Sequence, residues 1–248
     1  MVRSSLTALF LVNTLALAQA TPPAAAAPDS VPSFERPNGA LLRPATLVYA
    51  LSLTKADGAI TALGTRTVSI TDAPLGGSPS WLIAELRLGT AVETTDSVWV
   101  ARADLSPVRW AATIGRAQLG ASISRDSMFG AIDTYQGRAS FVIALPPNAL
   151  LSAGMAERVI ELLPLREGYR AAAMLVLVAG QTPRLLSAEI VVERSESIAV
   201  GNRSLECWRV ALRAGAMQER LWIAREGGRV VKTEQATAEG LLAAVAVL

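Results

Sequence analysis

Residues 46–54 read Thr46-Leu47-Val48-Tyr49-Ala50-Leu51-Ser52-Leu53-Thr54. Leu47, Tyr49, Leu51 and Leu53 fall on one face of an extended chain, and Ala50, Ser52 and Thr54 on the other. That is a strand with one side toward a core and one toward water. Asp57-Gly58 follows as a tight hairpin signal. The returning stretch keeps the period of two, with Ile60, Ala62, Val68 and Ile70 against Thr61, Thr65, Thr67, Ser69 and Thr71.

The same rhythm recurs along the chain. Strand-like runs occupy Trp81–Leu88, Val92–Ala101, Val108–Ile114, Ala117–Ser124 and Ala139–Ala144, then Ala171–Val178, Leu185–Glu193 and Ser204–Leu212. Glu219–Ala224, Arg229–Gln235 and Leu241–Val247 complete the series. Turn residues separate many of them: Gly76-Gly77, Gly180, Gly201-Asn202, Gly227-Gly228 and Gly240. The spacing predicts a mainly β fold, a curved antiparallel meander forming an incomplete barrel. One segment departs from it. Pro146-Pro147-Asn148 stops the sheet, and residues 149–163 carry Leu151, Met155, Val159 and Leu162 at helical spacing before Pro164. The expectation is one short helix that covers a sheet edge or plugs the curve.

The amino terminus predicts export. Arg3 precedes an apolar run from Leu6 to Ala18, and Ala18-Gln19-Ala20 is a small-x-small cleavage site. Cleavage after Ala20 leaves 22 basic against 21 acidic side chains, since Arg3 is the only charge removed. Residues 21–44 hold six prolines and four consecutive alanines, which predicts a flexible tether with a single β domain over 45–248. The expected location is periplasmic or extracellular, soluble after cleavage and without stable membrane insertion.

Composition excludes several chemistries. With no histidine and one cysteine, every His-based triad and most metal centres are ruled out. Cys207 has no disulfide partner and lies among Leu205, Trp208 and Val210, the setting of a packed thiol. The arginines are scattered without interleaved aromatics, so no nucleic-acid surface is expected. Ser52-Leu53-Thr54-Lys55 matches a Ser-x-x-Lys pattern, but that chemistry needs a helix, and on a strand the two residues point apart. Glu189 and Glu193 share a strand face with Glu196 opposite, which reads as a solvated outer face. No catalytic residue, metal ligand or cofactor is assigned. Trp81, Trp99, Trp110, Trp208 and Trp222 all fall in strand-like runs, where core packing is the default. Trp222 shares its face with Gln218 and Arg220 and is the first candidate for an exposed groove, with Trp208, Leu151, Met155 and Leu162 as further groove residues.

Leu162-Leu163-Pro164-Leu165-Arg166-Glu167-Gly168-Tyr169 is similar to an "LPL…G" element of a group of exported bacterial domains of unknown function. Asp104-Leu105-Ser106-Pro107-Val108 resembles that group's corner between two strands. Glu193–Val200, Gly201-Asn202, Cys207-Trp208-Arg209-Val210, Leu221-Trp222-Ile223-Ala224 and Val230-Val231-Lys232-Thr233-Glu234 follow in the group's order. The group looks related in fold to periplasmic lipoprotein carriers, whose incomplete barrels wrap a helix and hold acyl chains. The resemblance implies a non-enzymatic role, binding an apolar, lipid-like ligand or an envelope partner, and brings no catalytic residues. Two rivals stand beside it. An outer-membrane β-barrel would use the apolar Leu241–Leu248 strand, but 5% aromatics are few for its girdles. A hydrolase would need distant carboxylates paired by the fold.

Overall fold

The computed structural model describes residues 31–90, 92–179 and 182–248. The cleavage site after Ala20 and the first part of the expected tether lie outside them.

The first half of the chain is a meander of eight strands: β1 (Ala45–Thr54), β2 (Ile60–Asp72), β3 (Ser80–Leu88), β4 (Thr94–Ala101), β5 (Pro107–Ile114), β6 (Ala117–Ser124), β7 (Ser127–Thr134) and β8 (Gly137–Ala144). The short β9 (Ala149–Leu150) and the helix α1 (Ala153–Glu161) follow. A second meander then runs through β10 (Arg170–Ala179), β11 (Thr182–Val200), β12 (Arg203–Ala214), β13 (Met217–Ala224), β14 (Val230–Thr237) and β15 (Gly240–Ala246). All fifteen strands form one sheet, in the order β8 to β1, then β15 down to β9. Every pairing is antiparallel except β9 with β10. The meanders join in the middle, where β1 pairs with β15 from Tyr49↔Ala246 to Thr54↔Leu241. The sheet curls until β8 approaches β11, but no ladder links those strands. The expected incomplete barrel is the observed architecture.

Alternation decides which face turns inward. Tyr49 and Leu51 on β1, Val68 and Ile70 on β2, Trp81 and Ile83 on β3, and Val98 and Val100 on β4 all enter one core. A bulge between β1 and β2 strengthens the curl. There Gly64 has φ 131°, and a Cβ on it would collide with the Leu88 carbonyl.

Four expectations need correction. First, β7 was not anticipated. Its inward residues are Met128, Gly130 and Ile132, while apolar Phe129 points outward, so the alternation in sequence is blurred. Second, β11 continues far beyond Glu193, to Val200. Third, the helix is shorter than 149–163. Ser152 caps it by accepting the Met155 N–H at 3.2 Å, and Leu150 belongs instead to β9 beside Leu175. Fourth, order begins well before Ala45. Phe34 and Leu42 are buried, and Ser33 bridges to Ala172 on the edge of β10. Arg36 donates to the carbonyls of Pro147 (2.6 Å), Leu105 (3.0 Å) and Ala149 (3.0 Å). Trp81 Nε1 donates to the Gly39 carbonyl at 2.9 Å. Two apolar anchors and one guanidinium thus hold residues 32–42 down despite the prolines. The segment covers part of the β10 edge that would otherwise be open.

Candidate functional site

The helix lies inside the curl. Met155, Val159 and Ile160 are fully buried, and so are Glu157 and Arg158. Gly154 permits the approach, since a Cβ there would lie 3.3 Å from a Glu85 carboxylate oxygen. A helix with its charges on the inside must find partners for them. They come from the sheet. Arg66 on β2 is 2% exposed and donates to Glu85 on β3 and to Glu157 on α1, each at 2.7 Å. Arg87 holds the other Glu85 oxygen at 2.6 Å. Arg158 pairs with Glu157 at 3.1 Å and with Glu161 at 3.0 Å. Glu161 also accepts the Val230 N–H at 2.5 Å, and the Tyr49 hydroxyl donates to the Val230 carbonyl at 3.0 Å. The network ties α1 to β1, β2, β3 and β14.

Its carboxylates are not alike. Burial would raise Glu85, but Arg66 and Arg87 outweigh it and hold the acid at about 2. Burial pushes Glu161 up to about 7, against the pull of Arg158 and the Val230 N–H. Asp96, which accepts Trp110 Nε1 at 2.8 Å, is driven to about 7 by burial and by nearby Glu85. Half-buried Glu219 is raised to about 7 by burial and by the charge of Glu157. Perturbed acids in a fold's interior are where functional sites are sought. Here Glu85, Glu157 and Glu161 are bound to arginines, an arrangement that seats a helix. Among the described residues no three carboxylate or thiol groups converge as a metal site.

The five groove candidates are not brought together. Leu151 and Met155 are in the main core, Leu162 is half-buried at its margin, and half-buried Trp208 packs against the same core from β12. Trp222 sits on the opposite face of the sheet in a separate cluster with Val200, Cys207, Ala224 and Val231. It is 5% exposed, so the expectation of an open Trp222 is corrected. Its indole N–H donates to Glu196 at 2.7 Å, and the Lys232 ammonium lies 4.5 Å from its ring centroid. The face assignment was right, but neighbouring long side chains cover the ring. Burial also raises the Cys207 thiol to about 11, consistent with packing.

The glutamates lie on the outer face as expected, but the placement of Glu196 opposite Glu189 and Glu193 is corrected. A bulge at Val192/Arg194 shifts the register of β11, and Arg209 reaches both Glu193 (2.8 Å) and Glu196 (3.6 Å). These acids form an arginine-paired ladder on the outer surface. Ser52 is on a strand and Lys55 in the following turn, so the Ser-x-x-Lys pattern has no helix to act on.

Among the described residues, two of the open depressions on the surface stand out. One, of about 770 Å³, lies over β5–β8. Register explains its floor: Gly120 pairs with Ala131, and Ala131 with Ser140, so small residues line up across three strands. Phe129 and Val142 rise beside that floor, 47% and 76% exposed, with Arg109 and Arg138 also lining it. The other, of about 540 Å³, lies between residues 32–37 and 162–171 and includes Leu162.

No family model matches the sequence, and no curated protein matches it. The fold is similar to that of a β-barrel-like protein of a domain of unknown function, DUF1849, from Brucella abortus. That likeness has a TM-score of 0.50 at 9% identity, covering 88% of this chain and 98% of the other. A hypothetical lipoprotein, YmcC, from Escherichia coli (K12) aligns at TM-score 0.34 and 10% identity, over 82% of this chain and 87% of that one. The expected likeness to a barrel-like domain of unknown function is met at the level of fold.

Proposed function

We propose that this chain is a non-enzymatic, exported binding protein that takes an apolar, lipid-like group on the outer face of β5–β8. The observation that carries the reading is the pairing of a helix-filled interior with an apolar depression outside. The depression has the size of a small-molecule site. Phe129 and Val142 are large apolar side chains left open beside a floor of small ones. The interior, where a carrier would hold an acyl chain, is instead occupied by α1 and its ion pairs.

Titration with N-phenyl-1-naphthylamine tests this. Saturable fluorescence enhancement is expected, with affinity falling at least tenfold in Phe129→Asp and Val142→Asp. Both sites are exposed, so folding should be unaffected. A conservative interior change, Met155→Leu, should leave binding alone. Loss of binding in Met155→Leu alone, or no saturable binding at all, would overturn the outer-face assignment.

Export is part of the same reading, and it rests on the signal-like first twenty residues. The mature protein is expected to begin at Thr21 and to stay in the soluble fraction without detergent. Intact mass and fractionation check both. A mass that retains Met1 to Ala20 defeats the export reading, and recovery only from detergent-extracted outer membranes favours the membrane-barrel rival.

A further inference from the structure

The second depression differs from the first in its charge. Phe34 and Leu163 are buried in its walls, and Tyr169 and Leu162 are half-buried there. Three guanidinium groups line it, from Arg36, Arg166 and Arg170, against one carboxylate, Glu35. Arg170 is committed to Glu189. The other two form no ion pair, although the Asp104 carboxylate acts on Arg36 from beyond ion-pair range. Arg36 spends its hydrogen bonds on three backbone carbonyls, and Arg166 has only a 3.4 Å contact to the Pro164 carbonyl and the face of Tyr169, 5.7 Å to the centroid. Among the described residues neither lies within ion-pair range of a carboxylate. Arg36, half-buried and hydrogen-bonded only to neutral carbonyls, keeps much of its field, and the exposed Arg166 adds to it at the mouth of the depression.

We propose that this cleft binds an oxyanion carried on an apolar chain, with Arg166 as the movable donor, Arg36 as a fixed positive background and Leu162 and Phe34 against the first part of the chain. A guanidinium matches carboxylate or phosphate geometry with paired donors. Glu35 opposes the same anion, which gives the site a signature that a structural role lacks.

Calorimetric titration uses dodecyl phosphate below its micellar concentration, with inorganic phosphate and dodecanol as the comparison arms. Dodecyl phosphate is expected to bind saturably. Arg166→Gln should weaken it about tenfold, the scale of one lost charge-assisted hydrogen bond. Glu35→Gln should strengthen it severalfold. Binding of inorganic phosphate with the same two signs identifies a free anion as the source, and binding of dodecyl phosphate alone identifies an amphiphile. Val142→Asp should leave this binding unchanged, which separates it from the β5–β8 surface. The proposal is overturned if neither anion binds, if dodecanol binds as well as dodecyl phosphate, or if Arg166→Gln and Glu35→Gln both leave affinity within twofold. Each variant is exposed, and an unchanged thermal midpoint confirms that it folds.

Discussion

Arg66→Ala should lower the unfolding free energy by about 3–5 kcal/mol, the usual cost of leaving buried charges without their partner. Arg66 is 2% exposed and bridges Glu85 to Glu157, so its loss leaves Glu85 to the partly exposed Arg87 and Glu157 to Arg158, with one oxygen of each buried carboxylate unpaired and the tie between sheet and helix gone. Urea denaturation followed by tryptophan fluorescence measures the change as a shift of midpoint at constant slope. The triple replacement Arg66→Met, Glu85→Leu, Glu157→Leu should cost far less than the single one, because apolar groups of similar volume need no partners. A single-variant loss below about 1 kcal/mol would mean that the network does not hold α1 in place. The surface pair Arg138–Asp133 serves as a control, since an exposed pair contributes under about 1 kcal/mol.

Stability should peak in mildly acidic solution. Glu161 titrates at about 7 in the folded chain against an ordinary 4.5, so between those values the folded state binds more protons than the unfolded one. Stability therefore falls as pH rises from about 4.5 to 7, by on the order of 3 kcal/mol from this group. Asp96 and Glu219, raised by burial to about 7, act in the same direction. Glu85 works the other way. Held at about 2, it contributes stability above its ordinary value that is lost as pH falls toward 2. Thermal midpoints across pH 3–9 should thus be highest near pH 5. Glu161→Gln mimics the protonated acid and can still accept the Val230 N–H, so it should flatten the alkaline slope. A midpoint that keeps rising from pH 5 to 8 would contradict the assignment of these groups.

Much of the sheet was legible because period two survives wherever one face is wet. Residues 46–54 and 65–71 are the clearest instance, and the two stretches pair as an antiparallel hairpin, but the bulge opposite Leu51 turns Ile60 and Ala62 to the face opposite Val68 and Ile70, and Ile60 is 73% exposed. β7 escaped because Gly130 stands inward and Phe129 outward, reversing the usual signal. The helix interior was legible only in its apolar half. Nothing local marks Glu157, Arg158 and Glu161 as buried, or shows that Arg66 lies across from them, 91 residues away from Glu157. Trp222 failed for a related reason: parity gives the face of a strand, but not the side chains that fold over it. Residues 32–42 failed because prolines dominate their composition while Phe34, Arg36 and Leu42 decide their fate.

The pairing of β1 with β15 sets the order in which the molecule can assemble. Within each meander nearly every neighbour is the next strand in sequence, so either wing can zip from local hairpins. The seam between them joins Tyr49 to Ala246 and must wait until almost the whole chain is available. Closing so long a loop is the slow, entropy-limited step expected of non-local strand pairing. Until then β1 presents an unpaired edge, with Leu47, Tyr49 and Leu51 beside it. A chain halted before β15 would hold two unjoined wings, each exposing a central strand that the finished sheet conceals.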